Sequence, residues 1–347
     1  MHLIGLDFEK LKYQHNGLYT FCLQLGHRLL QHTREDEKLL YYLPQKFNEF
    51  TGDFKKVPYK WYHRYLFNPP QMDVWHAVHQ TGNVWPRNKA KKTILTIHDL
   101  NFLFDDRKGT AEKNRLLKEL QKQVDETDCV VAISKFTLQT IREHIQVPDN
   151  KCRIIYQGSE VKEFPGFDAP AYRPAKPFLF SIGMILSKKN FHVLPALLQH
   201  NDYELIIAGK PQGDYIKKIE EEADAAGVRA RVKLLGTIPD EEKYWYYKNC
   251  KAFMFPSIAE GFGAPVVEAM HFGKPVFLSD KTSLPEIGGD AAYYFRNFDK
   301  AYMQKTFEDG IKHFEQHNPV AAVQQHAKLF SWDTNAKEYL KLYRTMY

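Results

Sequence analysis

Two glutamates, separated by seven residues and enclosed by two apolar segments, constrain the fold of this chain more than any other feature. Glu260 and Glu268 flank Gly-Phe-Gly-Ala-Pro-Val-Val, in which the glycines predict a turn and Pro265 predicts the first turn of a helix. The segments 251–257 and 274–279 on either side have the apolar composition of buried strands. A strand, a glycine-rich turn, a helix and a strand in succession predict an α/β fold with a parallel sheet.

The chemistry of this segment suits a ligand that carries both phosphates and hydroxyls. Amide groups at the start of a helix attract anions, and glycines let a ligand approach the backbone closely. Carboxylates accept hydrogen bonds from sugar hydroxyls. The segment therefore indicates a nucleotide-sugar site at the carboxyl ends of the strands, where open α/β sheets bind ligands. The alternative is that Glu260 and Glu268 are two solvated carboxylates on a helix face.

The rest of the chain alternates strands and helices in two halves, and its length of 347 residues fits two domains. Amphipathic helices are predicted at 17–31 and 112–127. Strands of the first half are predicted at residues 3–7, 39–43, 74–76, 93–97, 129–133 and 152–156. The stretch 158–177 is rich in Pro and Gly and is interpreted as the linker between the domains. A second alternation begins with a strand at 178–182 and continues to about residue 295.

Composition excludes several classes of protein. With 44% hydrophobic and 26% charged residues the chain is typical of a globular protein, and a net charge of +6 is too small to predict nucleic-acid binding. Its four cysteines are widely spaced, without a metal-ligand pattern, so we predict reduced structural thiols and no metal or other cofactor. Neither a secretory signal nor a membrane-length apolar run is visible, which predicts a cytoplasmic location.

The motifs together resemble the family-4 retaining glycosyltransferases of the GT-B architecture. The glutamate pair is that family's signature, and further matches run in the family's order from about residue 70 to the C-terminus. The matching segments are 96–100, 131–136, 180–190, 205–209, 236–240, 284–292 and 330–343. The resemblance implies two Rossmann-like doubly wound domains facing a cleft. An acceptor-side domain would span 1–170, a nucleotide-sugar-binding domain would span 171–325, and a C-terminal helix in 326–347 would cross back to the N-terminal domain.

The resemblance also implies which residues bind the donor. Glu268 would bind the ribose hydroxyls, and Glu260 would bind the sugar together with the backbone that follows it. The other donor-binding positions would be Gly261, Phe262 and Gly263 in that backbone, Gly183 after the first strand of the second half, Ile238 in the loop on the base side, and Asn16 with Gly17 at the first helix.

Glu260 and three further residues are implied to be catalytic. Lys189 takes the position of the family's lysine and Lys188 that of its arginine, so both would neutralise the diphosphate leaving group. The alternative is a solvated pair of charges. His98 would lie beside the transferred sugar, although a histidine at a strand end is also a common structural residue. His76 and His79 are less specific candidates. The chain contains no Asp-Xaa-Asp, which argues against the metal-dependent GT-A class.

The function implied is a retaining, metal-independent transfer of a hexose, with mannose expected from similarity to mannosyltransferases. The donor would be a GDP- or UDP-sugar, and the acceptor a glycan or lipid-linked hydroxyl in surface polysaccharide or glycolipid synthesis. Front-face attack is the expected mechanism, with Glu260 as a covalent nucleophile the alternative. A sugar-nucleotide epimerase, a phosphorylase and a non-catalytic binding subunit remain open. The basic run 87–92 either contacts the inner face of an anionic membrane or is a solvated loop.

Overall fold

The computed structural model describes residues 1–14, 17–82, 84–105 and 107–347, which form two compact units. Unit 1 contains Met1–Gly158 and Ser331–Tyr347, and unit 2 contains Ser159–Phe330. The chain therefore divides at 158/159 and 330/331, whereas the sequence predicts divisions at 170/171 and 325/326. Most of the stretch interpreted as a linker packs on unit 2, because Glu204 accepts hydrogen bonds from the Tyr172 hydroxyl and, at 2.7 Å, from the Ala175 amide.

Unit 1 is built on a parallel sheet of seven strands in the order β3-β2-β1-β4-β5-β6-β7. The strands are β1 (His2–Asp7), β2 (Glu37–Leu43), β3 (Phe54–Pro58), β4 (Met72–Ala77), β5 (Ala90–Ile97), β6 (Cys129–Ala132) and β7 (Cys152–Ile154). Its α-helices are α1 (Gly17–His32), α2 (Thr110–Asp125), α3 (Lys135–His144) and the last of the chain, α10 (Trp332–Arg344). The strand order reverses between β1 and β4, which makes that position the topological switch point. Strand β3, an edge strand whose Lys55 and Lys56 are exposed, is not predicted from the sequence.

The core of unit 1 joins the first and last helices of the chain to one face of the sheet. Phe21 of α1 and Tyr339 of α10 lie in the same buried cluster as Ile4 of β1. A buried polar network fixes α10 in place: His76 hydrogen-bonds the Tyr343 hydroxyl at 2.7 Å and Thr96 at 2.8 Å. Burial lowers the pKa of His76 to about 3, so its ring stays neutral. A satisfied network of this kind allows one docking position for the helix, because a shifted helix leaves its groups unpaired.

Unit 2 is built on a parallel sheet of six strands in the order β10-β9-β8-β11-β12-β13. The strands are β8 (Phe178–Ile182), β9 (Glu204–Ala208), β10 (Val232–Gly236), β11 (Ala252–Phe255), β12 (Val276–Ser279) and β13 (Tyr293–Phe295). The α-helices are α4 (Tyr215–Ala225), α5 (Asp240–Asn249), α6 (Ala264–His271), α7 (Leu284–Gly288), α8 (Lys300–His317) and α9 (Val320–Ala327). The switch point of this sheet lies between β8 and β11, as the strand order predicts for a doubly wound domain.

Close packing of backbone at the carboxyl ends of β8 and β9 requires glycine. Gly183 and Gly209 follow these strands with φ of +150° and +138°. A Cβ on Gly209 would overlap the carbonyl oxygen of Gly183, so no other residue fits. The α/β architecture and the parallel sheets predicted from the sequence are thus confirmed. The four cysteines are buried free thiols. Within the described residues, no helix combines the length and the apolarity needed to cross a membrane.

Candidate functional site

The centre of the candidate site in unit 2 is an ion pair between Lys189 and Glu260 at the switch point. Lys189 ends the 3-10 turn Ser187–Lys189 after β8, and Glu260 lies in the loop after β11. The lysine Nζ donates to the glutamate Oε1, and each of the two side chains is 12% exposed. Ser257 donates its hydroxyl to the same carboxylate oxygen at 2.6 Å. The structure therefore brings together two of the predicted residues and adds a serine that the sequence analysis did not name.

The position of the Lys189 side chain depends on two neighbours at the strand ends. Its ammonium lies 4.8 Å from the centroid of the Phe255 ring, which is a cation–π arrangement. Gly183 provides the space on the other side, since a Cβ there would lie 3.3 Å from Cε of Lys189. Gly183, predicted to contact the donor, thus also has a structural role in placing the lysine.

Hydroxyl side chains from the loop after β12 hold the glutamate loop. The Glu260 amide donates to Thr282 Oγ1 at 3.1 Å. Ser283 donates its single hydroxyl hydrogen toward the carbonyls of Glu260 and Phe262, both at 3.1 Å. Ser257, Thr282 and Ser283 are all absent from the sequence prediction. A signal for them was available, because hydroxyl residues directly after buried strands lie at the ligand-binding edge of a parallel sheet.

Lys188 contributes through its main chain as well as its charge. Its carbonyl oxygen accepts from the Ile258 amide at 2.8 Å, which ties the loop after β8 to the loop after β11. The same oxygen lies 3.1 Å from the Ser257 hydroxyl, whose single hydrogen is shared with Glu260. Its half-buried side chain has no hydrogen-bond or ion-pair partner among the described residues. The Lys188 ammonium is therefore available to a ligand, whereas that of Lys189 already contacts Glu260.

The glycine-rich turn begins helix α6 in the way the sequence predicts. Gly263 has a φ of +99°, and a Cβ there would lie 2.9 Å from Leu284 Cδ2. Its neighbour Phe262 is 3% exposed and packs edge-to-face on Phe330 at 5.5 Å, so this residue can offer a ligand only its backbone. No side chain of the described residues caps the first turn of α6. The turn at the start of α6 presents polar backbone groups that suit an anion or a sugar hydroxyl.

Glu268, the second glutamate, faces α5 rather than solvent. It accepts a hydrogen bond from the Tyr247 hydroxyl at 2.9 Å and pairs with Lys243 at 3.4 Å, and its side chain is 17% exposed. Burial alone would lower the pKa of Lys243, but the charge of Glu268 reverses the effect and raises it. Ile238 is half-buried in the loop that leads from β10 into α5. The structure thus gives each glutamate of the motif a lysine partner from a different element.

In unit 1, His98 directly follows β5 and is almost completely buried. Its Nε2 lies 2.9 Å from the carbonyl oxygen of Val78. Because a carbonyl can only accept, Nε2 carries the proton and Nδ1 is left as an acceptor. Burial lowers the pKa of His98, against the opposing effects of the Val78 carbonyl and of Asp99. The ring packs edge-on against Phe21 at 4.6 Å and is neutral at pH 7.

The predicted positions at the first helix are less informative. Helix α1 begins at Gly17, where an added Cβ would meet no atom of the described residues within 4 Å. Packing within unit 1 therefore does not require glycine at this position. Asn16, the other predicted residue, lies outside the described residues.

Asp7 is a buried carboxyl group at the switch point of unit 1 that the sequence analysis did not single out. It is the last residue of β1, is 4% exposed, and accepts a hydrogen bond from the Glu9 amide at 3.0 Å. Burial raises its pKa to about 7, against the hydrogen bond from Glu9. A group that titrates near neutrality beside the ligand edge of a sheet is a candidate functional group.

Known families and structures agree with this architecture. A family model described as Glycosyltransferase Family 4 matches residues 19–163, and one described as Glycosyl transferases group 1 matches residues 167–326. Sucrose-phosphate synthase from Thermosynechococcus elongatus superposes with a TM-score of 0.73 at 16% identity, covering 100% of this chain and 99% of that one. Anabaena HepE in complex with UDP-glucose superposes with a TM-score of 0.72 at 15% identity, covering 99% and 100%.

Several curated relatives are mannosyltransferases. The serotype-specific mannosyltransferase WbdA of Escherichia coli is 29% identical over 283 residues, which is 75% of this chain and 34% of WbdA. The chain therefore spans about a third of the length of that relative. The O-antigen chain mannosyltransferase B of Escherichia coli is 22% identical over 383 residues, covering 97% of this chain and 98% of that protein.

Two doubly wound parallel units give the chain the GT-B fold, and both matching family models describe glycosyltransferases. The family models match consecutive parts of the chain and together cover most of it. The chain belongs to the family-4 glycosyltransferases, as its motifs indicate.

Proposed function

We propose that this glycosyltransferase moves a hexose, with mannose the expected sugar, from a GDP- or UDP-sugar to a hydroxyl of a glycan or lipid-linked acceptor in surface polysaccharide synthesis. The transfer retains the anomeric configuration and needs no metal. The observation that carries the proposal is the buried Lys189–Glu260 pair at the switch point of unit 2. The names of the relatives WbdA and O-antigen chain mannosyltransferase B support mannose and an O-antigen-type product.

The strand order of unit 2 supports a donor that lies along the carboxyl edge of its sheet. Strand β10 lies two positions from β8, which corresponds to about 10 Å across the sheet. The base would contact Ile238 after β10, and the sugar would contact Glu260 after β11. Glu268 would bind the ribose between them, since its partner Lys243 is on α5, the helix that follows the Ile238 loop. A carboxylate has about four acceptor positions, so Glu268 can keep Tyr247 and still bind ribose.

Fixed cations would supply the electrostatic stabilisation of the leaving group. Negative charge grows on the diphosphate as its bond to the sugar breaks, and a preorganised cation lowers that barrier. Lys189 has three N–H donors, and Glu260 accepts one of them. The remaining donors, together with the unpaired ammonium of Lys188, are the groups that would neutralise the diphosphate without a divalent ion.

The environment of Glu260 suits orientation of the sugar better than nucleophilic attack. Its Oε1 already accepts from Lys189 and from Ser257, and both interactions reduce the nucleophilicity of the carboxylate. Retention would then follow from front-face attack by the acceptor hydroxyl while the diphosphate leaves on the same face. The second carboxylate oxygen would accept a hydrogen bond from a sugar hydroxyl.

Unit 1 would bind the acceptor. Neutral His98 would accept a hydrogen bond from a hydroxyl at Nδ1. A cavity of about 550 Å³ also opens at the carboxyl ends of β1 and β2. Its polar lining residues are Lys12, Gln14, Lys46, Asn48 and Glu49, a set of donors and acceptors that fits a glycan.

A thermal-shift panel with GDP-mannose, UDP-glucose and ADP-glucose tests donor binding, because a ligand that binds only the folded state raises the apparent stability. We expect GDP-mannose or UDP-glucose to raise the melting temperature more than ADP-glucose does. Product analysis with the stabilising donor then tests the reaction. Proton NMR of the new linkage should report the donor's anomeric configuration. An inverted linkage removes the retaining assignment, an epimerised donor or a sugar phosphate indicates the alternative enzymes, and binding without turnover indicates a non-catalytic subunit.

A further inference from the structure

A segment of unit 1 that the glycosyltransferase chemistry does not use is rich in both cations and aromatic rings. From residue 54 to residue 72 the sequence contains no Asp or Glu, while Lys55, Lys56, Lys60 and Arg64 are basic. The stretch 60–66 within it, Lys-Trp-Tyr-His-Arg-Tyr-Leu, is named here the interfacial segment. Strand β3 at the edge of the sheet leads directly into it.

Large apolar side chains of the interfacial segment point to solvent. Trp61 is 69% exposed, Tyr62 39%, Tyr65 60% and Leu66 67%. Six other large apolar side chains of the described residues are at least as exposed as Tyr62, but they lie scattered along the chain. Exposed apolar groups that are concentrated in one place mark an interaction surface, whereas single ones are ordinary.

The cations of the segment lie over its rings. The Lys60 ammonium is 5.7 Å from the centroid of Tyr62, and the Arg64 guanidinium is 4.5 Å from the centroid of Tyr65. Neither Lys60 nor Arg64 has a carboxylate partner among the described residues. The outward surface therefore carries positive charge and aromatic area together, without a neutralising acid.

The segment is anchored to the core, so this surface is presented by the fold. Trp61–Arg64 forms a 3-10 turn, in which His63 points inward and hydrogen-bonds the Tyr42 hydroxyl at 3.1 Å. Directly after the segment, Phe67 is 7% exposed and packs against Trp75 with ring centroids 5.5 Å apart. His63 and Phe67 thus anchor the segment to the core, while its other large side chains stay at the surface.

We propose that the interfacial segment docks unit 1 on an anionic lipid surface. Tryptophan and tyrosine favour the level of the lipid head groups, where an apolar ring and a polar edge are both satisfied. Lysine and arginine are attracted by anionic lipids, and leucine buries its side chain at the boundary with the acyl chains. A neutral glycan would use the rings by stacking but would give no role to the unpaired cations, so the charge favours the lipid surface.

This assignment replaces the basic run 87–92 as the surface that would meet a membrane. Lys91 of that run pairs with Asp73 at 2.7 Å, and Lys92 pairs with Asp128 at 3.0 Å. Two of its charges are therefore neutralised by neighbouring acids. The run 87–92 is not a loop, because Arg87–Lys89 forms a 3-10 turn and residues 90–92 begin β5. The interfacial segment, in contrast, keeps its charge.

The interfacial segment adjoins the cavity proposed for the acceptor. The ammonium of Lys12, which lines that cavity, lies 5.0 Å from the ring centroid of Tyr59, the residue before the segment. If the proposed function holds, a lipid-linked acceptor would reach the cavity from the surface on which the segment docks. Docking itself does not depend on that function, because it can be measured without donor or acceptor.

Co-sedimentation of the full chain with vesicles tests the proposal. The vesicles contain phosphatidylcholine with about one third phosphatidylglycerol, or phosphatidylcholine alone, and are used at low and at high salt. We expect binding to the anionic vesicles at low salt and much weaker binding in the other conditions. The double variant Lys60→Glu/Arg64→Glu should bind the anionic vesicles more weakly by at least about thirtyfold, since it removes two cations and adds two anions. The variant Trp61→Ser/Leu66→Ser should also lose binding.

Matched controls distinguish the effect of the interfacial segment from the effects of net charge and of nonspecific apolar binding. Lys118→Glu/Lys122→Glu on the exposed face of α2 makes the same change in net charge within unit 1, and Leu329→Ser removes an apolar side chain that is 62% exposed in unit 2. Both controls should bind vesicles like the wild type. Circular dichroism melting confirms that each variant is folded.

Three results would overturn the proposal. The first is wild-type protein that stays in the supernatant with anionic vesicles. The second is a Lys60→Glu/Arg64→Glu variant that sediments like the wild type. The third is a Trp61→Ser/Leu66→Ser variant that keeps vesicle binding but loses turnover on a soluble glycan, which would make the segment a glycan-stacking surface. Loss of vesicle binding with normal turnover on a soluble acceptor supports docking and leaves the catalytic assignment intact.

Discussion

Lys189 donates a hydrogen bond to Glu260 although 71 residues separate them in the chain. They meet because β8 and β11 are neighbours in the sheet of unit 2, with Leu179 opposite Ala252. Each residue lies shortly after the carboxyl end of its strand, so the pairing of two strands places a cation and a carboxylate side by side. The pair thus connects Lys189, the residue proposed to bind the diphosphate leaving group, with Glu260, the residue proposed to bind the sugar.

The pair should be coupled in stability. Glu260→Gln and Lys189→Met each leave a partner that is mostly buried and unpaired, which typically costs about 3–5 kcal/mol. The double variant should lose clearly less free energy of unfolding than the two single variants lose together, because neither charge remains. Urea midpoints of the four proteins measure the coupling. Lys281→Met, which breaks the more exposed pair with Asp280, is the control and should cost about 0–1 kcal/mol. Additive effects of Glu260→Gln and Lys189→Met would contradict a coupled pair.

Lys189→Ala should reduce kcat far more than it raises KM for the donor. A cation at the diphosphate stabilises the transition state more than the ground state, and one such group is typically worth about a hundredfold to a thousandfold in rate. Lys188→Ala should have an effect of similar size, because its ammonium has no partner among the described residues and takes the position of the family's arginine. Lys217→Ala on the exposed face of α4 is the control for loss of a positive charge. Near-normal turnover of Lys189→Ala would remove this lysine from the mechanism.

Glu268→Ala should mainly weaken binding of the nucleotide. Loss of a charged hydrogen bond to ribose costs roughly 1.5–3 kcal/mol, which is about tenfold to a hundredfold in affinity. Tyr247→Phe removes one of the two contacts that hold the carboxylate but leaves its charge, so its effect should be smaller. Calorimetric titration with GDP and UDP measures both variants. Unchanged nucleotide affinity in folded Glu268→Ala would mean that Glu268 has only a structural role, linking α5 to α6.

Activity should survive excess EDTA. In the proposed mechanism, the two lysines after β8 would supply the positive charge that a divalent ion supplies in metal-dependent enzymes. Initial rates with and without chelator, followed by addition of magnesium or manganese, measure the requirement. Rates that vanish with EDTA and return with either ion would show that the lysines do not suffice.

The buried carboxyl of Asp7 should make stability fall as pH rises. Its folded pKa is raised from 3.8 to about 7, so between these values the folded state holds a proton that the unfolded state has lost. The contribution of Asp7 to the free energy of unfolding is therefore fully present below about pH 4 and is lost by about pH 7. Between pH 5 and pH 8 the free energy of unfolding falls by up to about 3 kcal/mol. Asp7→Asn removes the titration. Urea midpoints at pH 5 and pH 8 should thus differ less in Asp7→Asn than in the wild type, and equal differences would contradict the raised pKa.

The sequence predicted the fold because the fold depends on repeated local patterns. Buried strands such as β8 and β12 are short apolar runs, and Gly263 with Pro265 marks the start of α6 by backbone geometry alone. These requirements are visible in a single sequence, and the order of strands and helices then selects a doubly wound fold. Strand β3 was missed because it is an edge strand with exposed lysines, and its pattern lacks the apolar run that marked the others.

The candidate site could be predicted only in part. The motif places Glu260 and Glu268 on one segment, but it does not indicate that Lys189 would hold the first and Lys243 the second. Ser257, buried beneath the ion pair, has no distinguishing sequence context apart from its place after a strand. The interfacial segment is conspicuous in composition, but its sequence does not indicate that His63 points to the core and Trp61 points to solvent.

By itself, the sequence determined the class of fold and the family, and it predicted the residues of a donor site. Apolar periodicity, glycine and proline act over a few residues, so their consequences can be inferred without knowing the rest of the molecule. The tertiary structure decided which charged groups meet, which are neutralised and which stay unpaired. Those outcomes depend on strand order and burial, which bring together groups such as Lys189 and Glu260 or Lys91 and Asp73 from distant parts of the chain.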